Sequence, residues 1–311
     1  MYLRHFSLSE APFSITPDAA FFFSHDGAQA ALNTLLVALR SGEGFLKIVG
    51  EVGCGKTVLC RQLLRSLQGE CVTAYIPNPD LGPRDLLLAL AAELGLKLPA
   101  SATRYRLLDS LQACLLGHAA QGRSVVLIVD EAQAIPVRTV ESLRLLSNLE
   151  TEKRKLLQIV LLGQPELDRK LARPEIRQLS QRITFSERLG PMPDTRVGAY
   201  LRHRLQVAGA DTRAGLDVFE PQAVQALAQF SGGVPRLVNV LANKCLMLAY
   251  GENRHRVTAA DVRLAAQDTG SIDVASSWWD RLVSGRFRGA GALASPPVQV
   301  QRAGVPPKAR P

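Results

Sequence analysis

The stretch Phe45-Leu46-Lys47-Ile48-Val49-Gly50-Glu51-Val52-Gly53-Cys54-Gly55-Lys56-Thr57-Val58 decides the reading of this chain. Its first half is a short apolar run that ends at a glycine, the pattern of a buried strand. Its second half matches GxxxxGK[ST], and an amphipathic helix from Lys56 to Leu67 follows. The spacing has a physical reason. Glycines let the backbone wrap closely around an oxyanion with consecutive N–H groups pointing inward. The helix that opens at Lys56 adds the positive end of its dipole. Lys56 then reaches the β- and γ-phosphates of a nucleotide, and the Thr57 hydroxyl serves Mg²⁺. The whole of Gly50–Val58 is the expected cradle for ATP. Context separates it from a chance glycine-rich turn, because a strand enters it and a helix leaves it.

Working outward, apolar runs at Cys71–Ile76, Ser124–Val129 and Leu156–Leu162 read as further strands, with a shorter one at Arg182–Phe185. Ser124–Val129 and Leu156–Leu162 are apolar without alternation, as expected of parallel strands covered by helices on both faces. Helical patterns at Gly27–Leu39, Pro83–Leu94, Tyr105–Ala119 and Val137–Glu152 lie between them. This alternation predicts an α/β layered domain over 27–191, preceded by an irregular segment over 1–26. Beyond Pro191 only helices are expected: Thr195–Ala208, Pro221–Phe230, Pro235–Tyr250 and Ala259–Gln267. They make a small helical domain over 192–270. The remainder, 271–311, is rich in Pro, Gly, Ala and Ser and reads as disordered.

Val125–Val129 runs into Asp130-Glu131. Two acids at the end of a buried strand are costly unless they face a cation or water. Asp130 is expected beside Thr57 as the second Mg²⁺ holder. Glu131 is expected to orient and deprotonate the attacking water. A solvent-exposed strand end is the plain alternative. Gln133 and Arg138 follow without an assigned role. Gln164, at the end of the next strand, either hydrogen-bonds the γ-phosphate or the water, or caps the helix after it. Of the arginines 169, 173, 177, 182 and 188, most read as a solvated or interface face. Arg182 is expected to reach a neighbouring subunit's nucleotide, where a planar cation neutralises charge on the transferring phosphoryl group, with Arg177 in reserve. Arg236 sits in the first turn of a helix, where the dipole disfavours a cation. An external anion, the γ-phosphate seen from the helical domain, accounts for it; a surface arginine after a turn is the alternative.

Composition bounds the rest. At 47% hydrophobic and 21% charged, the 311 residues hold ample material for a core, which excludes general disorder. Five cysteines, an odd number with no CxxC pair, exclude a disulfide scaffold and fit a reducing compartment. No run of about 18 apolar residues and no signal-peptide core are present, so a cytoplasmic location is expected. The net charge of +9 permits acidic partners, nucleic acid or anionic lipid among them, and is equally compatible with simple solubility.

Taken together, Gly50–Thr57, the strand with Asp130-Glu131, Gly163-Gln164-Pro165-Glu166-Leu167, Gln181-Arg182-Ile183 and Gly233-Val234-Pro235-Arg236 resemble an AAA+ ATPase. The opening, Phe6 to Asp18 with Pro12 and Pro17, resembles the general secretion pathway protein A group and its relative in mannose-sensitive haemagglutinin pilus biogenesis. The resemblance spans about 1–270. It implies a P-loop NTPase fold with a helical lid, hydrolysis of ATP with Mg²⁺, and homo-oligomers with ATP at subunit junctions. It further implies service to a type IV pilus or type II secretion apparatus, in the cytoplasm or peripherally at the inner membrane. Members that act in secretin assembly carry a transmembrane helix and a peptidoglycan-binding region after the lid. The residues here resemble the shorter, pilus-type relatives instead, and Trp278-Trp279 serve either as a partner or membrane contact or as part of the lid's core. The competing expectation is a nucleic-acid-associated AAA+ protein, a transposition or replication helper. A slow ATP-dependent signalling switch is the third.

Overall fold

The computed structural model describes residues 2–150, 154–210 and 217–270. The tail 271–311 and its Trp278-Trp279 pair lie outside the described residues. Met1–Gly270 pack as one compact unit.

Among the described residues five strands form one sheet: β1 (Phe45–Gly50), β2 (Cys71–Ile76), β3 (Ser124–Val129), β4 (Leu157–Gly163) and β5 (Ile183–Leu189). Their order is β2-β3-β4-β1-β5 and every pairing is parallel. Parallel neighbours need long crossovers, and helices supply them. The helices are α1 (Tyr2–His5), α2 (Asp26–Arg40), α3 (Lys56–Leu67), α4 (Pro83–Glu93), α5 (Arg104–Ala120), α6 (Val137–Leu146), α7 (Glu166–Leu171) and α8 (Arg177–Ser180). Then come α9 (Asp194–Val207), α10 (Pro221–Ser231), α11 (Pro235–Gly251) and α12 (Ala259–Asp268). Strand alternation divides the core in two. Leu46, Ile48, Val126, Ile128, Val160 and Leu162 face α2 and α3. Phe45, Val49, Leu127, Val129, Ile159 and Leu161 face α4 to α8. Gln158, the polar residue in an otherwise apolar β4, is buried because its amide donates to Leu39 O at 2.8 Å and Glu43 O at 3.0 Å, carbonyls at the end of α2.

Four expectations shift. Helix α6 stops at Leu146 rather than running to Glu152. The Ser147 N–H and hydroxyl close on Leu143 O and Arg144 O, and Glu150 bridges to Lys155 as the chain turns back into β4. Strand β5 extends to Leu189 instead of ending at Phe185. It is an edge strand with exposed Thr184, Phe185, Ser186 and Arg188, so its ladder with β1, not an apolar run, makes it a strand. The short helices α7 and α8 are additions to the sequence reading.

The fourth shift concerns residues 1–26, which are not merely irregular. They contain α1 and a 3₁₀ turn at Ala19–Phe21, and Asp26 already begins α2. Phe6, Leu8, Phe13 and Phe21 are buried. The segment docks on the helices after β5. Tyr2 Oη donates to Asn243 at 2.9 Å, Ser9 N to Ala208 O at 2.8 Å, and Phe13 meets Phe219 edge-on. No described helix is long and apolar enough to cross a membrane.

Candidate functional site

The strand order sets the site. Because β4 lies between β1 and β3, the loops after all three strands open on one edge of the sheet. They carry the phosphate loop, Asp130-Glu131 and Gln164. Ligands of open parallel sheets bind at this carboxyl edge.

The phosphate loop has the conformation its glycines permit. Gly53 and Gly55 have φ of 84° and 91°, a region side-chain-bearing residues rarely adopt. Gly55 is the N-cap of α3 and offers no capping side chain, so the first-turn amides of that helix point into the loop. Lys56 is buried, its ammonium donating to Gly50 O at 2.8 Å and Glu51 O at 3.0 Å. Cys54 is buried too, and desolvation pushes its thiol up to about 11 despite the opposing pull of Lys56.

Asp130 is 2% exposed. Burial raises its pKa, while the Glu131 N–H, the Thr57 hydroxyl and Lys56 act in the other direction. Thr57 and Asp130 therefore stand side by side. An alcohol and a buried carboxylate at the mouth of an anion-binding loop suit Mg²⁺, which takes one or two protein oxygens and completes its shell with phosphate and water.

Glu131 follows in a left-handed conformation (φ 49°), unusual for a non-glycine residue, which turns its side chain off the strand and into the cleft. Its Oε2 accepts from Gln133 Nε2 at 2.5 Å and from Gln164 Nε2 at 3.2 Å. Gln164 thus points at Glu131, while α7 begins without a side-chain cap. Gln133 was left without a role by sequence reasoning. Its place three residues after Asp130 is the only local cue.

The helical region closes the cleft. The Arg236 N–H donates to Gly53 O at 3.2 Å, and the Arg236 side chain lines the cleft. The cleft also takes in Ser14–Pro17 and Phe21–Phe23 of the N-terminal segment, to which the sequence reading assigned no part in the site, and Tyr200, Arg204 and Asn239, which it did not single out. Arg204 is 5% exposed, lies over the Phe21 ring, and donates to Pro12 O and Ser14 O. Only the folded chain brings this N-terminal stretch to the lid. Arg182 is not drawn in. It is half-buried at the opposite edge of the sheet, where its guanidinium donates to Ser147 Oγ at 2.7 Å, and Arg177 is exposed on α8.

The family model of an AAA domain matches residues 39–171. General secretion pathway protein A of Aeromonas hydrophila is 42% identical over 283 residues, which are 91% of this chain. The chain spans about half (51%) of that relative's length. Solved structures share the fold. The ORC2 protein of Aeropyrum pernix superimposes with a TM-score of 0.61 at 19% identity, over 82% of this chain and 72% of that one. Cdc6p of Pyrobaculum aerophilum gives 0.61 at 17%, over 81% and 70%. The RuvB branch migration motor of Thermotoga maritima gives 0.53 at 17%, over 79% and 70%. At such identities these likenesses speak for the fold alone. The phosphate loop, the five-stranded order with β4 between β1 and β3, and the 42% identical relative place this chain in the AAA+ ATPase family, among the relatives of general secretion pathway protein A.

Proposed function

We propose that the chain is an Mg²⁺-dependent ATPase whose turnover drives or regulates assembly of a type II secretion or type IV pilus apparatus. It would work as a homo-oligomer in the cytoplasm, at the cytoplasmic face of the inner membrane. The observation that carries the hydrolytic part is Glu131, turned into the cleft by its left-handed backbone and held there by Gln164 and Gln133. A switch that only binds nucleotide has no need of a carboxylate presented in this way.

The residues divide the work. The amides of Gly53 to Thr57, with Lys56, hold the phosphates; on binding, the ammonium leaves Gly50 O and Glu51 O for the β- and γ-oxygens. Thr57 and Asp130 hold Mg²⁺, which when bound neutralises phosphate charge. Glu131 accepts the proton of the attacking water, a service worth about 10²–10⁴ in rate. Gln164 fixes that water relative to Glu131. Arg236 contacts the γ-phosphate from the helical side. Arg182 acts on the neighbour's nucleotide.

The name of the Aeromonas relative supports the secretion setting. Two experiments test the reading. Steady-state turnover should vanish in Lys56→Ala, with nucleotide binding. In Glu131→Gln turnover should fall by about 10² or more while binding persists. Rapid turnover by Glu131→Gln overturns the base role. That variant, tagged and trapped with Mg-ATP in gently lysed cells, should then retain inner-membrane secretion or pilus components after nuclease treatment. Nucleic-acid-processing proteins lost on nuclease treatment would replace this reading with a DNA- or RNA-associated ATPase.

A further inference from the structure

Lys170 lies on α7 and half-buried, away from the cleft, and none of the motifs includes it. Its ammonium makes no ion pair among the described residues. It donates instead to two main-chain carbonyls, Gln133 O and Ile135 O, the second at 2.5 Å. These belong to the 3₁₀ turn Ala132–Ala134 and its cap, directly after Glu131. Burial, and then Arg173, hold its pKa below the usual lysine value. A partly desolvated cation spent on two carbonyls of one turn fixes that turn rather than binding an acidic side chain.

The turn carries Gln133, whose amide joins two parts of the site. Oε1 accepts the Gln164 N–H at 3.0 Å and Nε2 donates to Glu131 Oε2 at 2.5 Å. The orientation of this amide is forced, because a backbone N–H only donates and an ionised carboxylate only accepts. Gly163 shows how closely the turn sits. A Cβ there would lie 3.1 Å from Gln133 Oε1 and 2.9 Å from Leu167 Cδ2. Helix α7 is itself anchored to the sheet: Asp168 accepts from Lys47 of β1 at 2.5 Å and from Arg188 of β5 at 3.2 Å. One helix after Gln164 therefore grips both the strands beside the phosphate loop and the turn beside Glu131.

We infer that Lys170 is a positioning residue for hydrolysis, acting through Gln133 to hold Glu131 and Gln164 in one fixed relation. The inference rests on the ATPase reading above. Without Lys170 the turn is free to shift, Gln133 leaves one or both partners, and Glu131 presents its carboxylate in several orientations. Nucleotide binding, which the loop and Lys56 carry, stays intact.

The test compares Lys170→Met, Lys170→Arg, Gln133→Ala and the Lys170→Met/Gln133→Ala double variant of the full chain. The readouts are steady-state ATP turnover, affinity for a fluorescent N-methylanthraniloyl ATP, and melting temperature. Lys170→Met and Gln133→Ala should each lower kcat tenfold or more with affinity within twofold. The double variant should fall no further than the worse single, and Lys170→Arg should recover to within threefold of wild type. Unchanged kcat in Lys170→Met, a parallel loss of kcat and affinity, or losses that multiply in the double variant would each overturn the inference. Should Lys170→Met fail to fold, Gln133→Asn takes its place. One methylene too short to bridge both partners, it must show the same selective loss of kcat, and wild-type kcat in it sinks the inference. Failure of the ATPase reading looks different: wild type and Glu131→Gln would then turn over ATP equally slowly.

Discussion

The main-chain N–H of Arg236 donates to the carbonyl oxygen of Gly53 at 3.2 Å, so the first turn of α11 rests on the phosphate loop. The lid and the loop are thus joined through main-chain atoms. A Cβ on Gly53 would lie 2.8 Å from Arg236 Cβ, whereas a Cβ on Gly55 meets nothing within 4 Å.

That difference makes a paired prediction. Both glycines have positive φ, so alanine at either costs about 1–2 kcal/mol of backbone strain. Only Gly53→Ala must also push the lid helix away. Thermal melting without nucleotide should therefore show Gly53→Ala less stable than Gly55→Ala. Equal melting temperatures would mean that the lid does not sit on Gly53.

Gly233 makes a sharper case. Its φ is 72°, and a Cβ there would fall 1.9 Å from Met192 O, which no side-chain movement relieves because the clash is with backbone. Met192 N also donates to Gly233 O at 2.9 Å, tying the start of the helical region to the turn before α11. Gly233→Ala should cost about 3 kcal/mol or more, seen as a lowered denaturant midpoint. A loss of only about 1–2 kcal/mol, the cost of positive φ alone, would contradict this packing.

The capping box of α12 should make stability pH-dependent. Burial works against the Asp261 carboxylate, but the Arg254 guanidinium and the Thr258 N–H and hydroxyl outweigh it, and its pKa is lowered overall. Arg254 reaches both Asp261 oxygens, at 2.6 and 2.9 Å. A lowered folded-state pKa stabilises the protein above the unfolded value of about 3.9 and is lost as pH falls through the folded value. Asp261→Asn should cost about 1–2 kcal/mol at pH 7. The gap from wild type should narrow below pH 4. A gap independent of pH between 7 and 3 would assign the effect to packing.

The sequence made the sheet legible because its strands are continuous apolar runs, and the phosphate loop and Asp130-Glu131 because their chemistry is local. Residues whose role depends on distant segments were hidden. Arg204 faces the carbonyls of Pro12 and Ser14, some 190 positions earlier, and nothing near Arg204 in the chain marks it. The second half of β5, residues 186–189, hid for another reason: on an exposed edge, it lacks the apolar pattern that betrays β3 and β4. Gln133 lies in plain view, yet its role appears only when β4 brings Gln164 beside it.

The sheet register sets which nucleotide Arg182 can serve. In the parallel β1–β5 pair, Phe45 aligns with Ile183 and Gly50 with Leu189. Arg182 therefore precedes the entrance of β5, while the phosphate loop leaves the exit of β1. At about 3.3 Å per residue, the five steps from Phe45 to Gly50 span roughly 16 Å, and Arg182 lies one residue further back. Within one chain Arg182 cannot reach its own nucleotide; any catalytic role must be exerted on a neighbour. Its bond to Ser147 Oγ would be given up for the phosphate. On this view Arg182→Ala should lower turnover by about 10³ or more while binding ATP normally. Turnover per subunit of wild type should rise with protein concentration. A mixture of Arg182→Ala with Lys56→Ala should recover activity that neither variant has alone, since one supplies an intact phosphate loop and the other an intact arginine. A mixture no more active than its parts would remove Arg182 from the reaction and turn attention to Arg177.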